Sequence, residues 1–261
     1  SRLTIQGGTI SHYRQLIYDW NTSLLDKLGP CREALIPGAL FIGMEQGKLV
    51  RFEELARCPQ LVQDALLSIL SERQLQIPEL AGEDGVLYAR EGFNVIATSN
   101  SLDRGLFDMS AALKRRLNFE TIEPIDDLDA ELDIVQRESS LLARQSGVEM
   151  AAEPAILEML VTVFHELRNG QTLSGRSTDR LAAAVMSTAE AVAVAHALMV
   201  YAWYYRGGMM APEDLLHFII GAALKDNPQD RRRVRHYFDT EVSGKQGEHW
   251  QQLYQQRHLL D

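Results

Sequence analysis

The segment LVRFEEL, residues 49–55, decides the expected fold of this chain. Its apolar residues are typical of a β-strand, and the strand ends in two adjacent carboxylates, Glu53 and Glu54. Such a strand end can place one carboxylate beside a magnesium ion and the other beside an attacking water, as phosphoanhydride hydrolysis requires. Two acidic residues at the start of a helix also complement its dipole, which is the more common reason for such a pair. The pair is therefore informative only together with its neighbours.

Polar residues with related chemistry follow in two later segments. FNVIATSN, residues 93–100, is predicted to be a neighbouring strand, and its terminal Asn100 either orients a lytic water, touches a γ-phosphate or forms a turn. LKRRLNFE, residues 113–120, carries Arg115 and Arg116 just before another expected strand. One of these arginines could reach the nucleotide of a neighbouring subunit, and the alternative is a solvated pair.

The first part of the chain alternates strand and helix signals, which favours a parallel sheet covered by helices. We expect a strand over residues 3–6, a helix over 12–28 and a further strand over 119–122. The near-continuous apolar run 93–98 indicates a strand in a sheet covered on both faces. A helix is predicted to begin near Pro59. Its apolar stripe consists of Leu61, Val62, Ala65, Leu66, Ile69 and Leu70.

The rest of the chain is predicted to be a hairpin followed by helices. Residues 74–78 and 86–88 are expected to be two short strands of a protruding hairpin. After Pro124 strand signals largely stop, and helical periodicity covers residues 156–167, 181–205, 212–224 and 229–238. We therefore predict an α/β core over 1–125, a helical domain over 126–226 and a helical extension over 227–261.

Composition limits the classes of partner. The 261 residues carry a formal net charge of −10 and a pI of about 5.2, which argues against nucleic acid or an anionic membrane as the main partner. The basic cluster at residues 231–235 is short and reads as a solvated helix face. The apolar segment 182–205 contains polar residues and reads as a buried helix, not a membrane span. The two cysteines, Cys31 and Cys58, lack metal-site spacing, and the simplest compartment is the reducing cytoplasm.

Taken together and in this order, these segments resemble the AAA+ ATPase family, and within it the MoxR group with its extra hairpin insertions. The resemblance covers roughly residues 3–225. Its most specific parts are residues 48–74, similar to the Walker B strand and following helix, and 91–117, similar to the sensor 1 strand and arginine-finger region. It implies an AAA+ parallel-sheet core of the α/β class, truncated at its N-terminus, followed by a helical lid domain.

The resemblance also implies a role for each of the polar residues. Glu54 is expected to be the catalytic base for water and Glu53 the carboxylate on the magnesium side. Asn100 corresponds to sensor 1. Arg116 corresponds to the finger that acts in trans on the next subunit, with Arg115 as its alternative.

The remaining elements of the resemblance concern the lid and the insertions. A sensor 2 arginine at the start of a long lid helix corresponds best to Arg180, with Arg176 as the alternative. The hairpin-like stretches 37–47 and 74–88 resemble the helix 2 insert and the pre-sensor 1 hairpin. Family membership would imply ATP and Mg²⁺ as cofactors and a homo-oligomeric, hexameric ring that remodels or activates a client. It would also imply a partner with a von Willebrand factor A domain, no nucleic acid and no membrane insertion.

The sequence departs from the family pattern at three places. Glu53 stands where the family has Asp, and Arg51 interrupts a strand that is usually apolar. By the two-residue period Arg51 shares a face with Glu53 and could pair with it. No segment reads GxxxxGK[ST], the phosphate-binding loop, and the chain starts at Ser1. We therefore expect the chain alone to be inactive and part of a longer ATPase, or else a loop-less scaffold.

Overall fold

A computed structural model describes residues 3–6, 16–80, 82–99, 109–179, 181, 185–224 and 227–261. The chain divides into two compact units, Ser1–Thr121 and Ile122–Asp261. The first unit has a parallel sheet and the second is helical, as the sequence predicts.

The first unit contains short strands and helices in alternation. Its strands are β1 (Leu3–Gln6), β2 (Tyr18–Trp20), β3 (Leu35–Pro37), β4 (Leu49–Glu53), β5 (Gln74–Gln76), β6 (Val86–Tyr88) and β7 (Asn94–Ala97). Its helices are α1 (Thr22–Leu28), α2 (Ala39–Gln46), α3 (Gln60–Glu72) and α4 (Ala111–Lys114), with 3₁₀ turns at Arg32–Ala34, Leu55–Arg57 and Gly82–Gly85. In the described part of the chain, β1, β4 and β7 form a parallel sheet with β4 in the centre.

The central strand β4 has one buried and one open face. Val50 and Phe52 are fully buried, and α2 packs so closely on this face that a Cβ at Gly43 would lie 2.2 Å from Val50 Cγ2. Arg51 points to the other face, where its register neighbour Ile96 is half exposed. The expectation that the strand within 93–98 is covered on both faces is wrong, since residues of β7 alternate between exposed and partly buried.

Two local predictions for the residues that precede β4 are wrong. The helix predicted over 12–28 is interrupted by β2, which pairs antiparallel with β3. Helix α1 begins at Thr22, and Asn21 caps it by accepting a hydrogen bond from the Leu24 amide. The reason is that Tyr18 is a buried strand residue, which helical spacing concealed. The stretch 37–47 is not a hairpin, because it forms α2.

The hairpin predicted over 74–88 is confirmed, since β5 and β6 pair antiparallel. The helix predicted after Pro59 is confirmed as α3, although Leu61 of its apolar stripe is exposed. The strand predicted over 119–122 is wrong. Residues 118–127 form neither helix nor strand, and Ile122 is 92% exposed because its apolar side chain has no sheet to pack on.

The second unit consists of packed helices. They are α5 (Leu128–Gln145), α6 (Pro154–Asn169), α7 (Thr188–Tyr205), α8 (Pro212–Ile219) with a π-helical continuation (Ile220–Leu224), α9 (Pro228–Thr240) and α10 (Glu248–Gln255), with 3₁₀ turns at Val242–Gly244 and Gln256–Leu260. Residues 227–261 pack into the same apolar core as the earlier helices, through residues such as Val234, Phe238 and Leu253. Of the described residues, no helix is both long and apolar enough to cross a membrane.

The structure corrects two predictions for the second unit. The helix predicted from residue 181 begins at Thr188, because Ser187 and Glu190 form a reciprocal capping box. The basic cluster is not merely a solvated face. Arg231 donates to the Leu259 carbonyl at 3.2 Å, and Arg235 donates to the Arg257 carbonyl at 3.3 Å, so these arginines hold the C-terminal turn against α9.

Candidate functional site

The two carboxylates lie at the carboxyl end of β4, beside the end of β7. The β4–β7 register pairs Phe52 with Ala97, and the Thr98 amide donates to the Phe52 carbonyl at 2.8 Å. Thr98 therefore lies next to Glu53, and its hydroxyl donates to Glu53 Oε2 at 2.5 Å. This is the edge at which ligands of open α/β sheets bind.

Glu54 adopts a left-handed backbone conformation, with φ 56° and ψ 46°. A non-glycine residue in this region costs about 1–2 kcal/mol, and such outliers cluster at functional sites. Thr98 holds the turn from both sides, because its hydroxyl accepts from the Glu54 amide at 3.2 Å and its carbonyl accepts from the Leu55 amide at 3.0 Å. The Glu54 side chain is 49% exposed and open to water.

Each carboxylate has an arginine beside it. Arg51 pairs with Glu53 Oε1, which confirms the predicted shared face, and Arg57 pairs with Glu54 Oε2 at 3.3 Å. The side chain of Glu53 is only 23% exposed, and those of the two arginines are both 48% exposed. The charges at this strand end are therefore balanced within the chain.

The side-chain oxygen atoms at this strand end are of the type that binds Mg²⁺. Glu53, Glu54 and Thr98 offer carboxylate and hydroxyl oxygens, which are the ligands that Mg²⁺ prefers. Within the described residues there is no cluster of three or more His, Cys, Asp or Glu side chains that could hold a metal. A site built from one or two carboxylates together with nucleotide phosphates is the usual arrangement for Mg²⁺.

The paired arginines lie elsewhere in the first unit. Arg116 Nε donates to Ser71 Oγ at the C-terminal end of α3, and its NH1 donates to the Ala112 carbonyl at 2.9 Å. Ser71 is roughly 17 Å along the helix from the first residue of α3. Arg115 ends α4 and is exposed. The structure thus does not bring these arginines together with Glu53 and Glu54 of the same chain.

The remaining predicted residues are placed only in part. Asn100 and Arg180 lie outside the described residues. Arg176 lies on a tight turn after α6, where its side chain is 72% exposed and its NH1 is 3.7 Å from Glu241 Oε2. The structure places both Arg176 and Glu241 in the second unit.

Two residues with clear structural roles escaped the sequence analysis. Thr98 contacts both carboxylate residues of the pair. The sequence feature that could have identified it is its position directly after β7, in register with Glu53. Gln63 is fully buried, donates to the Cys58 carbonyl at 3.0 Å and accepts from the Ser110 amide at 3.4 Å. It thereby ties the start of α3 to the start of α4, and its position three residues before Leu66 of the apolar stripe was the only clue.

Comparison with known proteins identifies the family. Residues 129–261 match the YehL-like AAA+ ATPase C-terminal domain, and the chain is 50% identical over 259 residues to the YehL protein of Escherichia coli (strain K12). That alignment covers 99% of this chain and 71% of the E. coli protein. The chain belongs to the YehL-like AAA+ ATPases.

Other relatives of this YehL-like chain agree with that assignment. Residues 1–117 match the AAA domain of the dynein-related subfamily. The gas vesicle ATPase GvpN1 of Halobacterium salinarum is 27% identical over 138 residues, which are 52% of this chain and 37% of GvpN1.

Solved structures with the same fold have low sequence identity to the YehL-like chain. NtrX from Brucella abortus is 14% identical with a TM-score of 0.52, and the match covers 100% of this chain and 57% of NtrX. A mutant of RuvB from Thermotoga maritima is 12% identical with a TM-score of 0.50, covering 99% of this chain and 71% of RuvB. The predicted parallel-sheet core with a helical C-terminal part is therefore confirmed as an AAA+ fold.

Proposed function

We propose that this chain is the larger part of a MoxR-type AAA+ ATPase that hydrolyses ATP with Mg²⁺. The observation that carries the proposal is the turn in which Thr98 holds Glu53 and the strained Glu54 at the carboxyl end of a parallel sheet. Membership of an AAA+ ATPase family supports the same chemistry. Because the sequence contains no GxxxxGK[ST] loop, we propose that the longer polypeptide supplies it and that this chain alone turns over little ATP.

The proposed roles follow the chemistry of each group. Glu54, half exposed to water, is the base that orients and deprotonates the attacking water. Glu53 lies on the magnesium side, where the metal would neutralise charge on the phosphates. Asn100, two residues after Thr98 in the sequence, acts as sensor 1.

Two arginine roles complete the proposed site. Arg116, with Arg115 as the alternative, acts in trans on the nucleotide of the next subunit. Its position at the far end of α3 from the carboxylates supports action in trans. Arg180, with Arg176 as the alternative, contributes to nucleotide binding as sensor 2.

We further propose a cytoplasmic homo-oligomer, a hexameric ring, that remodels or activates a client. A protein with a von Willebrand factor A domain is the proposed partner, and neither nucleic acid nor membrane insertion is involved. Residues 1–125 would form the nucleotide-binding core, 126–226 the lid and 227–261 a C-terminal extension of it. The net charge of −10 supports the exclusion of nucleic acid.

The test is Mg²⁺-dependent ATPase activity of the full-length polypeptide with and without Glu54→Gln. We expect Glu54→Gln to lower kcat by about 10²- to 10⁴-fold while ATP binding persists, because the amide cannot take a proton. Glu72→Gln, at the far end of α3, is the matched control and should leave kcat unchanged. A Glu54→Gln enzyme that keeps more than a third of the wild-type kcat would contradict the assignment.

A loop-less scaffold is the second candidate, and one observation favours it. Both oxygens of Glu53 are already engaged, one by Arg51 and one by Thr98, so the site is neutral without a metal. A full-length polypeptide that binds no ATP in equilibrium dialysis would establish the scaffold reading. Binding of ATP with measurable hydrolysis would eliminate it.

A further inference from the structure

The basic residue within the apolar strand β4 has one anionic contact among the described residues. Arg51 lies on the open face of the sheet, where its register neighbours are Thr4 and Ile96, and neither carries a charge. Its guanidinium pairs with Glu53 Oε1, two residues along the same face. A charged residue at this strand position is thus directed at the carboxylate proposed to face the metal.

Direct metal ligation by Glu53 Oε1 would bring Mg²⁺ close to the Arg51 guanidinium, and the two cations repel each other. A Mg²⁺ ligand oxygen lies about 2.0–2.1 Å from the metal, in near-octahedral geometry. The contact between Thr98 and Glu53 belongs to the backbone frame, because the same hydroxyl accepts from the Glu54 amide. The Arg51 side chain is half exposed on a flexible stem, so it is the contact that can leave with least disturbance.

We infer that Arg51 is a tethered counter-cation that competes with Mg²⁺ for Glu53 Oε1 and thereby sets the Mg²⁺ concentration at which the site is filled. The inference rests on the proposed function. At low Mg²⁺ the guanidinium neutralises Glu53, and at high Mg²⁺ the metal replaces it and Arg51 returns to solvent. Arg51 is a positioning residue in this scheme and does not touch the reacting atoms.

The test measures metal binding without turnover. The Kd of a fluorescent ADP analogue for the full-length polypeptide is determined in EDTA and at one fixed Mg²⁺ concentration below saturation. The Kd in EDTA divided by the Kd in Mg²⁺ reports the coupling between metal and nucleotide. Arg51→Met should raise this ratio about fivefold, as expected for removal of one unit charge at about 5 Å in a largely solvated setting. The Mg²⁺ concentration for half-maximal ATPase activity should fall by a similar factor.

Two controls separate competition from a general loss of charge. Arg51→Lys keeps the cation and should leave the ratio within twofold of the wild-type value. Arg57→Met removes an arginine of equal exposure from Glu54 and should also stay within twofold. All three variants alter partly exposed pairs, which contribute little to stability, so each is expected to fold.

The outcomes are decisive for Arg51. An unchanged ratio in Arg51→Met, or equal increases in Arg51→Met and Arg57→Met, would overturn the competition. If the ratio is one in both the wild type and Arg51→Met, the competition is also overturned. The effect of Glu54→Gln on kcat then decides separately whether the proposed function survives.

Discussion

The buried ion pair between Glu131 and Arg168 offers the sharpest test of how the helical unit is held together. Arg168 donates to both carboxylate oxygens, at 2.9 Å and 2.7 Å, and Glu131 is completely buried. The hydroxyl of Thr188 donates to the same carboxylate at 2.7 Å. The pair therefore ties α5 to the end of α6 and to the start of α7.

Glu131→Gln should destabilise the unit by about 3 kcal/mol. Removal of one partner of a buried pair costs about 3–5 kcal/mol, because it leaves an uncompensated charge in the interior. The lower value applies here because Arg168 retains two backbone acceptors, the carbonyls of Met186 and Ile125, both at 3.0 Å. With a urea slope of about 2 kcal/mol per molar, the midpoint should fall by about 1.5 M.

The assay is urea unfolding followed by tryptophan fluorescence. Trp203 and Trp250 both lie in the second unit, and a Trp20→Phe background removes the signal of the first. Asp214→Asn is the matched control, since Arg206 donates to Asp214 with the same two-bond geometry, at 2.8 Å and 3.0 Å, but is 39% exposed. Asp214→Asn should lower the free energy of unfolding much less than Glu131→Gln does. A Glu131→Gln midpoint within about 0.3 M of the Asp214→Asn midpoint would show that the buried pair contributes no more than the exposed one.

The same pair predicts a pH dependence. Burial by itself raises the pKa of the Glu131 carboxyl, but hydrogen bonds from Arg168 and Thr188 and the charge of Arg168 outweigh burial and lower that pKa. The folded pKa is thus below the unfolded value of about 4.3. The stabilisation is present above the unfolded pKa and is lost as pH falls through the folded pKa. The stability difference between wild type and Glu131→Gln should therefore shrink on acidification below about pH 4, and a constant difference from neutral to acid pH would contradict this.

Two further predictions concern single residues. Burial raises the pKa of the Cys58 thiol to about 11. A thiol reagent at pH 8 should therefore label the partly exposed Cys31 quickly and Cys58 only after unfolding. Equal labelling rates in the native protein would be inconsistent with the structure. Ser187→Ala removes the side-chain half of the capping box with Glu190 and should lower the free energy of unfolding by about 1 kcal/mol, measured by the same urea titration, while an unchanged midpoint would show that the cap is not formed.

The sequence by itself determined the fold class and the residues that stand at the end of β4. Apolar runs bounded by polar residues predicted β4 and β7, and the position of Glu53 and Glu54 followed because a strand end carries its terminal side chains to the sheet edge. The pairing of Arg51 with Glu53 followed from the two-residue period alone. These features depend on residues that are close together in the sequence, so local patterns are enough to predict them.

The tertiary structure decided what depends on residues distant in sequence. Periodicity could not exclude a helix over 12–28, because β2 exists only through its pairing with β3. The place of Thr98 beside Glu53, 45 residues apart, depends on the β4–β7 register. The buried pair of Glu131 with Arg168 likewise joins helices 37 residues apart. Such contacts are fixed by packing, and packing is decided by the whole core at once and not by any local pattern.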